Sequence, residues 1–282
     1  MIQPKTIRID GVNLFYATNQ EVKTPPAPVI FFFHGNSSSH ATWQCFLESA
    51  ALAPYTCFAF DLPAHGRSDA AADATDDYSL PGMARLFAKA VTQLSGGQPF
   101  ILVGVSLGAN IIAEMLPFHV QPAGIFLLGP TIVGGSFTVE KALKLDSCVG
   151  LSFVDEITDD QLESLKDLCA VTKDQAIRRQ LDHDIRAVKD NFRSRFGATV
   201  AAGNYNDQVA LIREAFVPMS VVFGGAEGAV HPDYLDEAGF NLLQKEVVKL
   251  PGAGHFVHLD APAAVTALLA ELATAVFKQV GS

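Results

Sequence analysis

The sequence predicts an α/β protein: a mostly parallel, twisted sheet of about eight strands, with helices on both faces and a helical segment inserted into it. Three observations predict this. Short runs that are apolar at every position, such as Val29–Phe33 and Phe100–Val105, read as strands buried on both faces. Helical patterns alternate with these runs at the spacing of βαβ units. The alternation stops after Gly129-Pro130 and resumes at Met219.

The elements follow in order. Thr6–Ile9 and Asn13–Ala17 flank Asp10-Gly11-Val12 and read as a hairpin. Val29–Phe33 is the first buried strand, and Ala41–Ala53 reads as a helix. Thr56–Phe60 is a strand, Leu80–Leu94 an amphipathic helix, Phe100–Val105 a strand, and Leu107–Leu116 a helix. Gly124–Leu128 is the next strand. From Val139 to Phe196 apolar and charged residues recur at helical spacing, as in Asp159–Ala170 and Asp174–Phe196, and read as three or four helices. Strands return at Met219–Phe223 and Glu246–Leu250, and the helix Pro262–Val280 closes the chain. The expected organisation is one domain built from residues 1–133 and 215–282, interrupted by a helical segment at 134–214.

Composition narrows the function. The 282 residues are 49% apolar and 18% charged, enough to bury a core without metal or disulfide help. Twenty Lys and Arg against thirty Asp and Glu give a net charge of −10, which repels phosphate backbones, so no nucleic-acid partner is expected. No apolar run reaches the roughly 18 residues of a membrane span, so no membrane partner is expected either. Met1–Asp10 lacks a signal-peptide pattern. The four cysteines, at 45, 57, 148 and 169, have neither metal-site nor redox-motif spacing and read as reduced thiols of a cytoplasmic protein. No metal and no cofactor is expected.

The strongest chemical signal is Gly104-Val105-Ser106-Leu107-Gly108, where a buried strand meets a helix. A Gly-x-Ser-x-Gly turn in that context holds a serine in a strained elbow with its hydroxyl exposed at the carboxyl edge of the sheet. A hydroxyl needs a base. His255, in the glycine-rich loop after Glu246–Leu250, opens at the same edge; His258 is its rival, with pairing to a nearby carbonyl or carboxylate as the rival's structural role. The orienting acid should follow another strand, and Glu227 is the first carboxylate after Met219–Phe223. His231 lies close enough in sequence to pair with it. Oxyanion donors are expected from the backbone N–H of Leu107 and of Asn36, with Gly35 letting the loop turn toward the site. Among the twenty phenylalanines, Phe32, Phe137 and Phe153 are candidates for an apolar acyl pocket, although most read as core.

Taken together, His34-Gly35, the stretch Asp61-Leu62-Pro63-Ala64-His65-Gly66-Arg67-Ser68, Gly104–Gly108 and Gly254-His255 resemble the α/β-hydrolase superfamily with an inserted cap domain. The resemblance implies that 134–214 is the cap and that Asp61–Ser68 is a structural turn, with Ala64 where glycine is commoner. His34-Gly35-Asn36-Ser37-Ser38-Ser39, Tyr78-Ser79-Leu80 and glutamate at 227 are most similar to the metal-independent N-acyl-homoserine lactonases of this fold. Their substrate-facing cap tyrosine falls near Leu165 here. The implied activity is serine-dependent hydrolysis of a small ester or lactone with an apolar acyl part. Carbon–carbon bond hydrolysis on the same serine, and a non-catalytic small-ligand receptor, are the alternatives.

Overall fold

The computed structural model describes residues 2–20, 26–71 and 78–280. Eight strands form one sheet: β1 Gln3–Ile9, β2 Val12–Thr18, β3 Val29–Phe33, β4 Thr56–Phe60, β5 Phe100–Val105, β6 Gly124–Leu128, β7 Met219–Gly224 and β8 Val248–Leu250. Their order is β1-β2-β4-β3-β5-β6-β7-β8. β1 and β2 pair antiparallel, as do β2 and β4, and every pair from β4 to β8 is parallel. The parallel strands therefore present their carboxyl ends along one rim, where ligand sites of such sheets form.

The helices are α1 Gln44–Leu47, α2 Leu80–Ser95, α3 Leu107–Met115, α4 Val139–Ala142, α5 Asp159–Cys169, α6 Gln175–Ala187, α7 Phe192–Ala201, α8 Gln208–Ala215, α9 Val257–Asp260 and α10 Pro262–Val280. Alternate strand residues point to opposite faces, and both faces are dry. Phe31, Phe33, Leu102, Leu127 and Phe223 join one core with α2, α3 and α8. Ile30, Phe32, Val103, Phe126 and Val222 join the other with α1 and α10. This double burial is why the strands carry no polar alternation. Helix α2 shows its start and stop in sequence: Ser79 Oγ accepts the Gly82 N–H, Pro81 sits in the first turn, and Gly96 ends it at φ 57. No helix among the described residues is long and apolar enough to cross a membrane.

Two expected elements differ, and one stretch of helical spacing divides. Ala41–Ala53 is not one helix. A 3-10 turn, His40–Trp43, leads into the single turn of α1, and the chain then descends through i→i+3 turns such as Leu52 N–H to Ser49 O (3.1 Å) before Pro54. Asp174–Phe196 is broken into α6 and α7 because Asp190 (φ 56) and Asn191 (φ 51) adopt left-handed backbone. Phe192 then packs edge-on to His65 (4.5 Å) and Tyr78 (5.1 Å), which a continuous helix would forbid. β8 pairs only over Val248–Leu250, at the edge of the sheet. The Asp61–Ser68 segment is a tight turn. The Asp61 carboxylate accepts the N–H groups of His40 (2.7 Å) and Arg67 (2.8 Å), and Ser68 Oγ donates to the Asp61 carbonyl (2.7 Å). Ala64 there has φ 62, a conformation that favours glycine.

Candidate active site

Loops from β3, β5, β6, β7 and β8 reach the rim, with the segment between β6 and β7 folding over them. The elbow between β5 and α3 holds Ser106 at φ 51, ψ −117, strained backbone for a non-glycine residue. Its neighbours have to be glycine. A Cβ on Gly104 would lie 2.6 Å from the Gly108 backbone, and one on Gly108 would lie 2.3 Å from the Phe33 carbonyl oxygen. The Ser106 N–H is tied to the Leu128 carbonyl (3.0 Å), leaving the half-buried hydroxyl free to face the rim.

His255 enters from the loop after β8. Its Nε2 lies 2.9 Å from Ser106 Oγ, and its Nδ1 lies 2.9 Å from Glu227 Oε2. A carboxylate only accepts, so Nδ1 carries a proton toward it, and in the neutral ring Nε2 is the acceptor facing the serine hydroxyl. Glu227, in the loop after β7, is buried, and its Oε1 accepts the N–H groups of Ala229 (2.8 Å) and Val230 (3.2 Å). Burial pushes its carboxyl up, but the His255 imidazole and the two N–H bonds outweigh burial and hold it below the usual carboxylate range. Gly129 packs directly on the histidine: a Cβ there would lie 2.7 Å from the His255 carbonyl oxygen and 3.1 Å from Nδ1. Asp260 fixes the same loop, taking the Gly254 N–H (2.7 Å) together with the N–H groups of Val171 and Thr172 from the insertion.

The loop after β3 carries Gly35 and Asn36 beside the serine. A Cβ on Gly35 would lie 2.7 Å from the Phe256 ring and 3.4 Å from Ser106 Cβ, so only glycine brings the backbone this close. Two buried histidines brace the loop. His34 Nδ1–H donates to the Gly35 carbonyl (2.7 Å) while its Nε2 accepts the Leu62 N–H (2.9 Å). His65 Nδ1–H donates to the Pro63 carbonyl (2.9 Å) while its Nε2 accepts the Ser37 N–H (3.1 Å). Burial pushes His34 down to about 4 and His65 to about 3, so both stay neutral and keep one bare nitrogen for these bonds.

Above the rim lies a cavity of about 110 Å³. Ser106, His255, Asn36 and Leu107 all border it. Its wall is mostly apolar, with Leu80, Val133, Leu143, Phe153, Phe196 and Val200 among its members, and Asn110, Thr131, Ser152 and Tyr205 supply hydroxyl and amide groups. Of the phenylalanines suggested for this wall, Phe153 is there. Phe32 instead lies on the far face of the sheet against Trp43 (5.1 Å), and Phe137 packs against the core without reaching the cavity. Leu165 is buried inside the insertion; α5 lines the cavity through Leu168 and Cys169, and the tyrosine that faces it is Tyr205. His258 has no hydrogen-bond partner for either ring nitrogen among the described residues and stacks on Trp43 (4.3 Å), so its role is packing rather than the expected pairing. His231 is exposed. No group of His, Cys, Asp and Glu among the described residues is arranged to hold a metal ion. None of the four cysteines is in a disulfide.

Residues 30–268 match the alpha/beta hydrolase family model. Two curated relatives align over most of the chain. The sn-1-specific diacylglycerol lipase ABHD11 of Mus musculus is 27% identical, over 86% of this chain and 81% of its own. The 2-succinyl-6-hydroxy-2,4-cyclohexadiene-1-carboxylate synthase of Enterobacter sp. (strain 638) is 28% identical, over 88% and 92%. Among solved structures, a mutant of the N-acyl homoserine lactonase AidH complexed with N-hexanoyl homoserine lactone superposes with a TM-score of 0.85, at 25% identity, covering 95% of this chain and 96% of that one. The esterase RhEst1 from Rhodococcus sp. ECU1013 superposes at 0.77, at 19% identity, covering 98% and 99%, a likeness of fold. The expected resemblance to the homoserine lactonases is thus borne out.

Proposed function

The chain belongs to the alpha/beta hydrolase family, and on that premise we propose that it is a serine hydrolase of carboxylic esters or lactones working through an acyl-enzyme. One observation carries the reading: an unbroken relay from Glu227 through His255 to Ser106 that opens on an apolar cavity. His255 Nε2 takes the Ser106 proton as Oγ attacks the carbonyl carbon, and Glu227 stabilises the imidazolium that forms. The N–H groups of Asn36 and Leu107 hold the oxyanion, each at a site worth on the order of 3 kcal/mol of the barrier. The imidazolium returns its proton to the leaving oxygen. Water, deprotonated by His255, then releases the acyl group.

The cavity limits the substrate. Its 110 Å³ has room for roughly seven to eleven water-sized occupants, or on the order of 200–300 Å³ of liquid volume. That fits a short-chain N-acyl-homoserine lactone, and so quorum quenching, better than a two-chain lipid. In such a lactone the leaving hydroxyl stays tethered to the acyl group and can re-close, so the site must still admit the hydrolytic water. We assign residues 134–214 as the cap, which lines the cavity through Leu143, Phe153 and Tyr205. Four cysteines with no disulfide among them fit a reducing cytoplasm.

The test is direct. The protein is treated with a fluorophosphonate probe, and separately with N-hexanoyl homoserine lactone and p-nitrophenyl butyrate, followed by mass spectrometry. Expected are a label on Ser106 that disappears in folded Ser106→Ala, and gain of one water by the lactone. Unlabelled, folded wild-type protein that turns over neither compound overturns the reading and leaves a ligand receptor.

A further inference from the structure

The insertion contributes a buried cation to the loop beside Ser106. Arg193, in the first turn of α7, is 3% exposed. Its Nε–H donates to Ser37 Oγ (2.8 Å), one terminal nitrogen donates to the Asp155 carbonyl (3.3 Å), and the other donates to the Ile185 carbonyl. All three acceptors are neutral oxygens. Burial costs the guanidinium its hydration, and the nearby Asp155 charge, which makes no hydrogen bond to it, offsets that loss only in part, so an apolar side chain of the same volume would fill this place at lower cost. Packing alone therefore does not account for an arginine here.

Its bonds lead to the rim. Ser37 sits in left-handed backbone (φ 58), and its Oγ–H donates to Asn36 Oδ1 (3.0 Å). Asn36 Nδ2 donates in turn to the Ser152 carbonyl (2.7 Å). The path Arg193–Ser37–Asn36–Ser152 thus starts and ends in the insertion and passes through the residue whose N–H faces the reacting carbonyl in the proposed reaction. His34 grips the other side of the Gly35–Asn36 peptide through the Gly35 carbonyl. Arg193 itself does not border the cavity.

We propose that Arg193 is a positioning residue: through Ser37 it fixes the Asn36 peptide as an oxyanion donor and makes that donor depend on a seated cap. The proposal rests on Ser106 as nucleophile and on the Asn36 N–H as donor. Since Arg193 touches no substrate, its loss acts on kcat and spares KM. The peptide it holds is one of two donors, and a misplacement on the order of 1 Å costs about 100-fold.

The experiment measures kcat and KM on p-nitrophenyl butyrate for wild type, Ser37→Ala, Arg193→Met and the double variant, with thermal melts alongside. Each single variant should lose about 10- to 100-fold in kcat, with KM within a factor of about three. The double variant should be no slower than the slower single one, because both changes cut the same path. Fluorophosphonate labelling of Ser106 should slow in step with kcat. Wild-type kcat in Ser37→Ala, or losses that multiply in the double variant, overturns the proposal. So do variants whose melting temperature falls while kcat holds, since that marks a purely structural pin. If Arg193→Met does not fold, Ser37→Ala alone decides through its kcat and labelling rate. A wild-type protein without turnover or label sinks the nucleophile reading instead, so the two failures are distinct.

Discussion

Replacing Glu227 by glutamine keeps the shape of the side chain and removes its charge, and the surrounding bonds dictate how the site responds. The carboxylate divides its work: Oε1 accepts the N–H groups of Ala229 and Val230, and Oε2 faces His255 Nδ1 at 2.9 Å. Two backbone donors cannot accept from an amide NH2, so the glutamine oxygen has to stay in the Oε1 position. Turning the amide over would leave both N–H groups buried without an acceptor, at about 1–3 kcal/mol each. The NH2 therefore faces Nδ1, which must become the acceptor, and the ring proton moves to Nε2. That nitrogen then points an N–H at Ser106 and no longer takes its proton. A wrong tautomer in a triad of this kind costs about 10⁴-fold in kcat, or roughly 5 kcal/mol of barrier. The assay is steady-state hydrolysis of p-nitrophenyl butyrate with the fluorophosphonate labelling rate beside it, on Glu227→Gln shown to be folded by its melting curve. KM should change little. Activity within tenfold of wild type would refute the reasoning, because it would mean that the carboxylate does not set the tautomer.

Three further outcomes are expected. Gly129→Ala places a methyl group 2.7 Å from the His255 carbonyl oxygen at φ 44, so it should lower stability by about 1–2 kcal/mol and kcat by about 100-fold through a displaced imidazole; a melting curve and rate equal to wild type would show that the loop yields freely. Asp184, buried in α6 with bonds from Ser39 and Gln180, is pushed up to about 6 by burial, against those two bonds. A raised carboxyl favours the fold while protonated, and that contribution is present below the unfolded value near 3.8 and lost as pH rises through about 6. Asp184→Asn should therefore stabilise the protein at pH 8 by about 1–2 kcal/mol and hardly at pH 3.5, and equal shifts in melting temperature at both values would count against it. Finally, Glu227 is held below the usual carboxylate range, so acidification to pH 5 should bring no loss of rate from protonating this carboxylate; a two-proton slope in the rate would contradict that.

Much of the fold and the site was legible in the residues, and for local reasons. Val29–Phe33 and Phe100–Val105 read as doubly buried strands because a strand covered on both faces has no polar alternation to hide. The elbow was legible because Gly104 and Gly108 answer a clash between backbone atoms a few residues apart. Glu227 and His255 could be named because parallel strands send successive loops to one rim, so rank along the chain stands in for position in space. Asp260 and Arg193 gave no such signal. Each acts across a contact between distant segments, 156 residues apart for Arg193 and Ser37, and an isolated charge in a helical pattern looks like any solvated one.

The break at Asp190-Asn191 shows where local pattern stops deciding. Apolar periodicity runs on through Phe196, yet the chain turns there so that Phe192 packs on His65 and Tyr78, and the Lys189 N–H reaches the Ala64 carbonyl (2.9 Å). Likewise Phe32 and Phe153 are equally apolar in sequence, but β3 register sends one to the far core and the fold of the insertion sends the other to the cavity. The sequence by itself determined the strands, the elbow and the order of the three groups at 106, 227 and 255, because steric and burial rules act between near neighbours. Only the tertiary structure decided the cavity wall and what the insertion holds in place, because close packing between segments distant in the chain depends on shape, which periodicity does not carry.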